Sequence, residues 1–488
     1  MRAKQQGHQP ELAPKTHRIL AIANRLAGIY CGMPRCFSIL PALLAAVCLL
    51  ALPAHVFSAC LDEDKVEPAS PAPVSPAAAP QPRDPRNQLQ ALVHDALLRS
   101  NGIGAARLLA EAASQDVEEA RANKKPQASL TGSMSPNLNT GSTGSSSENN
   151  SSQLQARAGI SISQTLYDGG RGDRIIDWRR QQAEAARLGM LSTQEQITLT
   201  TTSLAFERSR FRMQAVIYGQ QLRKMACLVE SLETIVAADK GRTSELVQAR
   251  KQLQQTELQQ AQAQSQARQI EARLRRIVGD GLPGTEGLST LLLAVPDLSA
   301  VLTAAERSTD ITQLDANTAA LREIARVVEA GNKPQVSWNI GGNALLAAGG
   351  GSPRNAGITA GVTLNIPLLN PSLEYSALAA RKRADAASLQ RAEVLEQRRQ
   401  RIVEVHEQAA AAFDRLRRVG LVLRDSDRLR NFTLQQWQQL GRRSLFDVIA
   451  AETDHYGLRV QYANALHDGQ QMNAMLTSLG GGLSAWLQ

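Results

Sequence analysis

The feature that most constrains the fold is a tandem repeat that covers most of the chain. The motif Lys-Pro-Gln occurs at residues 125–127 and again at 333–335, and segments of alternating apolar and polar residues follow each copy. A turn that combines a Gly with a nearby acid also occurs twice, at 240–247 and 440–448. Internal repeats indicate one supersecondary unit used more than once. We predict two units with the order helix, strand, loop, strand, long helix, turn, long helix.

Composition and the repeat together divide the chain into six segments. The predicted order is a signal peptide with a basic leader (1–60), a Pro/Ala-rich linker (61–86), a first repeat (87–280), an equatorial connection (281–305), a second repeat (306–482) and a short C-terminal tail (483–488).

The N-terminal segment has the pattern of an exported protein. An apolar run at residues 37–52 is too short to span a membrane, and small residues follow it, as in secretory signals. Translation from Met33 instead of Met1 would give the signal an ordinary length. The sequence Ser-Ala-Cys ending at Cys60 resembles a lipoprotein cleavage site. Lipidation of Cys60 and simple cleavage nearby both stay open.

Four segments alternate apolar and polar residues with a period of two, and they lie at residues 127–134, 154–163, 336–341 and 358–366. We expect Leu130, Ile160, Trp338 and Val362 on one apolar face. Such strands are typical of transmembrane β-barrels, although a half-buried soluble sheet shows the same alternation. Four strands cannot close a barrel, so we expect strands from several chains to close it together.

The remaining segments are predicted to be helices and loops. Residues 88–123 have helical periodicity, whereas the Gly, Ser, Thr and Asn residues of 136–152 predict an exposed loop. Residues 173–238 contain no Pro and could form a helix of about 100 Å. The return helix at 246–277 keeps heptad spacing, which also fits a soluble coiled coil. Ser244 and Ser444 are expected to cap the helices after the two turns.

Composition and motifs argue against several function classes. The formal net charge is +9, but the basic residues are interspersed with acids on helix faces rather than clustered with aromatics. We therefore expect no nucleic-acid partner. No catalytic, cofactor or metal-binding motif is recognisable, which predicts a protein that is not an enzyme and needs no cofactor.

Residues 87–482 resemble the TolC-like outer-membrane efflux protein family. The resemblance lies in the duplicated Lys-Pro-Gln strand starts, the strand exit QTLYDGG at 164–170 and the two Gly-to-acid turns. It implies a homotrimer in the Gram-negative outer membrane, with a twelve-stranded β-barrel in lipid and a long α-helical barrel in the periplasm. It also implies docking with a periplasmic membrane-fusion adaptor and with an inner-membrane ABC or resistance-nodulation-division transporter.

The turn at residues 441–447 most resembles family members that serve type I protein secretion, but multidrug-efflux members share the architecture. The first turn is one residue shorter than the family pattern, and Asn370-Pro371 replaces the Gly-containing second strand exit. A periplasmic coiled-coil structural or adhesive protein and a soluble secreted binding module remain alternatives from other classes.

The resemblance also implies roles for residues at the two turns. Arg443, Asp447 and Glu245 match positions of the pore gate, where a basic residue and acids hold the channel closed. Adaptor docking is expected at the turns themselves, at Gly241, Ser244, Gly441, Ser444 and Leu445.

Overall fold

Two sets of helices and strands follow one another along the chain. The structure is a computed structural model, and it describes residues 84–141, 149–348, 355–440 and 443–488. The predicted signal peptide with Cys60, residues 61–83 of the predicted linker and Gly441 lie outside these residues, whereas residues 84–86 of the linker form the start of α1. The first set contains α1 (Pro85–Arg99), α2 (Asn101–Ala122), β1 (Gln127–Gly141), β2 (Asn149–Tyr167), α3 (Arg171–Ala238) and α4 (Thr243–Val278). The second contains α5 (Leu298–Ala305), α6 (Thr309–Ala330), β3 (Gln335–Ala348), β4 (Asn355–Asn365), α7 (Pro371–Leu440), α8 (Leu445–Leu479) and α9 (Leu483–Leu487).

The helical segment predicted at residues 88–123 is confirmed, but it forms two helices, because the helical backbone is interrupted at Ser100. The backbone of Ser100 is extended, with φ −72° and ψ 110°, and this ends α1. Its hydroxyl then accepts a hydrogen bond from the Ile103 N–H at 3.3 Å and caps α2. A Ser side chain at this position satisfies an N–H that has no partner within the helix.

The four strands form one antiparallel sheet in the order β1-β2-β3-β4. Leu130 lies opposite Ile160, and Trp338 lies opposite Val362. Across β2 and β3, Gln164 pairs with Trp338 and Ile162 with Ile340, so the even-numbered positions of all four strands share one face. The predicted common face of Leu130, Ile160, Trp338 and Val362 is therefore confirmed. Leu130 is 81% exposed and Val362 is 70% exposed, so no described part of the chain covers these positions of the face.

The strands are longer than the alternation predicts. The loop predicted at residues 136–152 is wrong over most of its length, because β1 continues to Gly141 and β2 begins at Asn149. Pro136 lies opposite Leu154 in β1, which is an edge strand, where a residue without an N–H is tolerated. The backbone ladder therefore continues through a stretch of small polar residues that gives no apolar signal.

The junction between sheet and α3 depends on two left-handed glycines, Gly169 with φ 68° and Gly170 with φ 83°. The Asp168 carboxylate accepts hydrogen bonds from the N–H groups of Gly170 at 3.0 Å and Gly172 at 2.6 Å. The Lys333 Nζ donates to the Gly169 carbonyl at 3.1 Å and so joins the second repeat to the first. A side chain at Gly169 would be strained by the positive φ and would clash with Lys333.

Two very long helices, α3 with 68 residues and α7 with 70, each extend about 100 Å. The helix predicted at 173–238 is confirmed. α3 packs against α4, α6 and α8, and α7 packs against α6 and α8. Separate apolar clusters occur along them, around Phe206 and Leu274, around Ile402 and Leu476, and around Tyr456. Within the described ranges, none of the helices has the length and apolar character needed to cross a bilayer.

The connection at residues 281–305 is tied to α8 by side-chain amides. Gln470 donates to the Leu291 carbonyl at 2.7 Å, and Asn473 donates to the Leu292 carbonyl at 2.7 Å. Leu292 has a φ of 53°, which is unfavourable for a bulky side chain. The hydrogen bond from Asn473 holds the chain in this conformation.

His467 on α8 is an ionisable group in the interior. It is 2% exposed, and burial together with the positive charge of Arg210 lowers its pKa from 6.5 to about 4, although the Gln470 side chain opposes this shift. Arg210 also forms an ion pair with Asp468 at 3.3 Å. Because the folded protein disfavours the charged imidazole more than the unfolded chain does, His467 contributes stability that is fully present above its unfolded pKa of 6.5. That stability is lost as pH falls from 6.5 towards 4.

We expect His467→Gln to reduce the pH dependence of unfolding. Between pH 8 and pH 5 the wild-type free energy of unfolding should fall by about 2 kcal/mol more than that of the variant, because the unfolded imidazole takes up a proton first. Equilibrium urea unfolding at the two pH values measures the difference. Equal losses in the two proteins would contradict the role of His467.

Candidate functional site: the paired hairpin ends

The ends of the α3–α4 and α7–α8 hairpins meet around one apolar cluster, which we call the hairpin-end cluster. Its buried members from the first hairpin are Met225, Leu228, Val229, Leu232, Leu246 and Ala249. Its buried members from the second are Leu434, Trp437, Leu445, Val448 and Ile449. Because both hairpins contribute, the cluster brings the two turns predicted from the repeat to the same end of the helices.

The second turn closes with a reciprocal cap at the start of α8. The Ser444 hydroxyl accepts a hydrogen bond from the Asp447 N–H at 3.3 Å, and the Asp447 carboxylate accepts one from the Ser444 N–H at 3.2 Å. The predicted cap at Ser444 is therefore confirmed. The Asp447 carboxylate also lies in the first turn of α8, where the helix dipole favours a negative charge.

The first turn is built differently, and the predicted cap at Ser244 is wrong. α3 ends at Ala238, and the carboxylate of the next residue, Asp239, accepts a hydrogen bond from the Gly241 N–H at 2.9 Å. A 3₁₀ turn over Lys240–Arg242 leads directly into α4 at Thr243, so Ser244 already lies inside the helix. An Asp side chain often accepts a hydrogen bond from the backbone N–H two residues further on, and this stabilises a turn. The spacing of Asp239 and Gly241 could therefore have predicted the end of α3.

The residues predicted to dock an adaptor differ widely in exposure. Gly241 and Ser244 are exposed and Ser444 is half-buried. Leu445 is 0% exposed, so its prediction as an exposed docking residue is wrong. Its side chain fills the hairpin-end cluster because both hairpins close over the start of α8.

The exposed apolar side chains beside the turns are instead Val247, which is 61% exposed, and Phe446, which is 44% exposed. They follow Leu246 and Leu445, which point into the hairpin-end cluster, and helical geometry therefore turns them outward. These two residues give the exposed hairpin ends an apolar component.

The predicted gate residues lie at the hairpin ends but are not paired with one another. The Arg443 Nε donates to the Gln436 side-chain oxygen at 3.2 Å, and Arg443 has no ion pair among the residues that the structure describes. Glu245, with its side chain 14% exposed, lies 3.5 Å from the Arg242 guanidinium. Asp447 serves the cap of α8. Each acid is therefore held within its own turn, and the gate role of these residues stays a prediction.

A buried ion pair that the sequence reasoning missed lies about two to three helical turns from the hairpin end. The Arg430 guanidinium on α7 lies 3.3 Å from the Glu452 carboxylate on α8, and their side chains are 7% and 1% exposed. Arg430 also contacts Asp427 at 2.9 Å. The spacing of the residues could have predicted that Arg430 is buried. Arg430 lies one helical turn before Leu434 and two before Trp437, so it shares their face of α7, and both are buried.

Comparison with known families identifies the first repeat. Residues 92–280 match the sequence profile described as outer membrane efflux protein. The first repeat is therefore similar in sequence to the outer membrane efflux protein family. The resemblance predicted from the sequence is thus confirmed. The outer membrane efflux proteins are channels, which supports the non-enzyme prediction at family level and implies an outer-membrane location.

Solved channels share the fold beyond the first repeat. The structure of CusC, described in terms of transmembrane channel formation, has a TM-score of 0.72 and 18% identity, and the match covers 81% of this chain and 92% of CusC. VceC of Vibrio cholerae gives 0.68 and 17%, covering 81% and 96%. The open state of MtrE of Neisseria gonorrhoeae gives 0.67 and 16%, covering 81% and 89%. No significant match to a curated protein is found.

We expect the Arg430–Glu452 pair to show strong coupling in a double-mutant cycle. Glu452→Leu should lower the free energy of unfolding by about 3 kcal/mol, because it leaves the buried Arg430 guanidinium without the Glu452 carboxylate. The double variant Arg430→Met, Glu452→Leu should recover most of this loss, since apolar side chains of similar volume need no pairing. Urea unfolding of wild type, both single variants and the double variant measures the coupling. Simple additivity of the single losses would show that the pair is not a unit.

Proposed function

We propose that the chain forms a homotrimeric outer-membrane channel, the exit duct of a tripartite exporter. The observation that carries this is a sheet with one exposed apolar face and two unpaired edge strands, β1 and β4. An open edge is not tolerated in lipid, because its backbone groups have no hydrogen-bond partners there. Pairing β4 of one copy with β1 of the next removes every edge, and three copies give twelve strands.

The long hairpins support the periplasmic part of the proposal. At about 100 Å, α3 and α7 are far longer than the thickness of a bilayer, about 30 Å in its hydrocarbon core. Three copies of the two hairpins would close a helical barrel whose far end carries the hairpin ends. We assign adaptor docking to Gly241, Ser244, Gly441 and Ser444, with Val247 and Phe446 as apolar neighbours. Arg443, Asp447 and Glu245 are the proposed gate.

For the cargo, we propose type I protein secretion through an ABC transporter, because the turn at residues 441–447 most resembles members of that group. Multidrug efflux with a resistance-nodulation-division transporter is the second candidate. Deletion of the gene should abolish secretion of a large protein and leave drug susceptibility unchanged. Raised drug susceptibility with normal protein secretion would favour the second candidate.

Ion conductance tests the channel itself. The purified protein should run as a heat-modifiable trimer on gels and should conduct ions in a planar lipid bilayer. Correctly assembled protein without conductance would contradict the channel and favour a structural or adhesive protein. Recovery from the culture supernatant rather than the outer-membrane fraction would favour a secreted binding module.

Arginine substitutions at adjacent positions of β4 test which face of the sheet meets lipid. Val362→Arg should cost about 2 to 4 kcal/mol near the middle of the bilayer and should reduce the amount of trimer. Thr363→Arg is the matched control, because Thr363 lies on the opposite, polar face. Trimer yield in the outer-membrane fraction measures both. Equal yields from the two variants would contradict a membrane-embedded sheet.

A bulky side chain at Ser244 tests docking at the hairpin end. Ser244 is exposed and does not cap α4, so Ser244→Trp should leave the trimer intact while blocking adaptor binding and export. Gln259→Trp, about four turns further along α4, places the same side chain on the exposed helix away from the turn. Cross-linking to the adaptor and export of cargo are the measurements. Normal export with Ser244→Trp would remove Ser244 from the docking surface.

A further inference from the structure

The four strands contain a single charged residue, Arg157 on β2. Every other residue of β1, β2, β3 and β4, over the ranges that the structure gives these strands, is apolar or uncharged. The sheet therefore has a net positive charge that originates from one position.

Arg157 lies on the polar face. It pairs with Ser133 on β1 and with Leu345 on β3. Because side chains alternate along a strand, Arg157 points away from the face that carries Leu130 and Ile160. Its own face carries hydroxyl and amide side chains, namely Ser129, Thr131, Ser161, Ser163, Asn339, Asn343 and Thr359.

The charge of Arg157 is not neutralised by the described residues. Arg157 is exposed, and its hydrogen bond goes to the uncharged side chain of Gln155 at 3.2 Å. Among the residues that the structure describes, no carboxylate lies within ion-pair distance of it. A guanidinium has five N–H donors in a planar fork, and this geometry matches the oxygens of carboxylate and phosphate groups.

We propose that Arg157 sets an anion preference inside the barrel, where three copies form a ring of positive charge that attracts solutes with carboxylate or phosphate groups. This rests on the proposed trimer, in which the apolar face meets lipid and the polar face lines the lumen. Rings of Arg or Lys are one way in which pores select anions.

The geometry of a twelve-stranded barrel limits what the ring can do. With strands about 4.7 Å apart and tilted by about 40°, the backbone lies roughly 12 Å from the barrel axis. Three arginines at that radius cannot block the lumen. The side chains extend inward from the backbone, so their charges lie less than about 12 Å from the axis. At 0.1 M salt the Debye length is about 10 Å, so the electrostatic potential of these charges still reaches the axis. The ring therefore biases which ions pass, and high salt screens the bias.

Reversal potentials in planar bilayers test the ring. In a KCl gradient near 0.1 M, Arg157→Gln should lower the anion-to-cation permeability ratio about two- to four-fold, and Arg157→Glu should lower it further. Both shifts should nearly vanish near 1 M KCl. Arg107→Gln on α2 is the matched control, because it removes the same charge from a side chain that is 73% exposed outside the strands, and it should leave the ratio unchanged.

The outcomes separate this proposal from the channel on which it rests. Conducting trimers whose permeability ratio does not change in Arg157→Gln would overturn the ring and leave the channel standing. Equal shifts in Arg157→Gln and Arg107→Gln would also overturn it, since the effect would then be one of net charge. Absence of conductance in assembled wild-type trimers would overturn the channel and the ring together.

The same recording on Asp447→Asn separates the ring from the proposed gate. Loss of an acid should raise the anion-to-cation ratio, which is the opposite sign to loss of Arg157. A fall in the ratio in both variants would show that assembly, and not local charge, determines the result, and it would overturn the ring.

Discussion

Hydrogen bonding of the sheet edges is the constraint on which the rest of the structure depends. Among the described residues, β1 and β4 each leave one edge without partners, and the face that carries Leu130, Ile358 and Val362 is exposed. In water such a sheet would be a template for aggregation, and in lipid its unpaired backbone would be too costly. Pairing with further copies solves both problems at once. The number of copies around the sheet would then also be the number around the long helices, because Gly169, Gly170 and Lys333 connect the helices to the sheet.

At the opposite end of the helices, packing and polar pairing have different effects. The hairpin-end cluster stabilises the meeting of the two hairpins through buried apolar area, and Leu445 contributes with no exposed surface. The Arg430–Glu452 pair adds little net stability by comparison, because desolvation offsets most of the attraction between buried charges. An alignment of α7 and α8 that separated the two charges would cost free energy, however, because a buried charge would lose its partner. The pair therefore favours the observed alignment over others. The arrangement of the hairpin ends therefore depends in part on the Arg430–Glu452 pair, which lies in α7 and α8 rather than in the turns.

How far the sequence predicted the structure depends on the range of each interaction. The period-two alternation correctly predicted the face of Trp338 and Val362, and the local Ser–Asp spacing correctly predicted the cap at Ser444. The pattern at Ser244 failed because a turn one residue shorter lets α4 begin earlier. The burial of Leu445 and the Arg430–Glu452 pair were missed because both depend on a neighbouring helix, which local spacing does not show.

The two faces of the sheet differ in the same way in what the fold requires of them. The solved channels keep the fold at 18% identity or less, and a sheet that meets lipid needs only apolar residues on one face and a complete backbone ladder. The polar face is free of that requirement, since water accepts many side chains there. A single substitution at a position such as Arg157 can therefore change the charge of the proposed lumen without disturbing the backbone hydrogen bonds or the apolar face of the sheet. If Arg157 sets the ion preference as proposed, that preference is determined by a residue that the fold does not constrain, and similarity of fold carries no information about it.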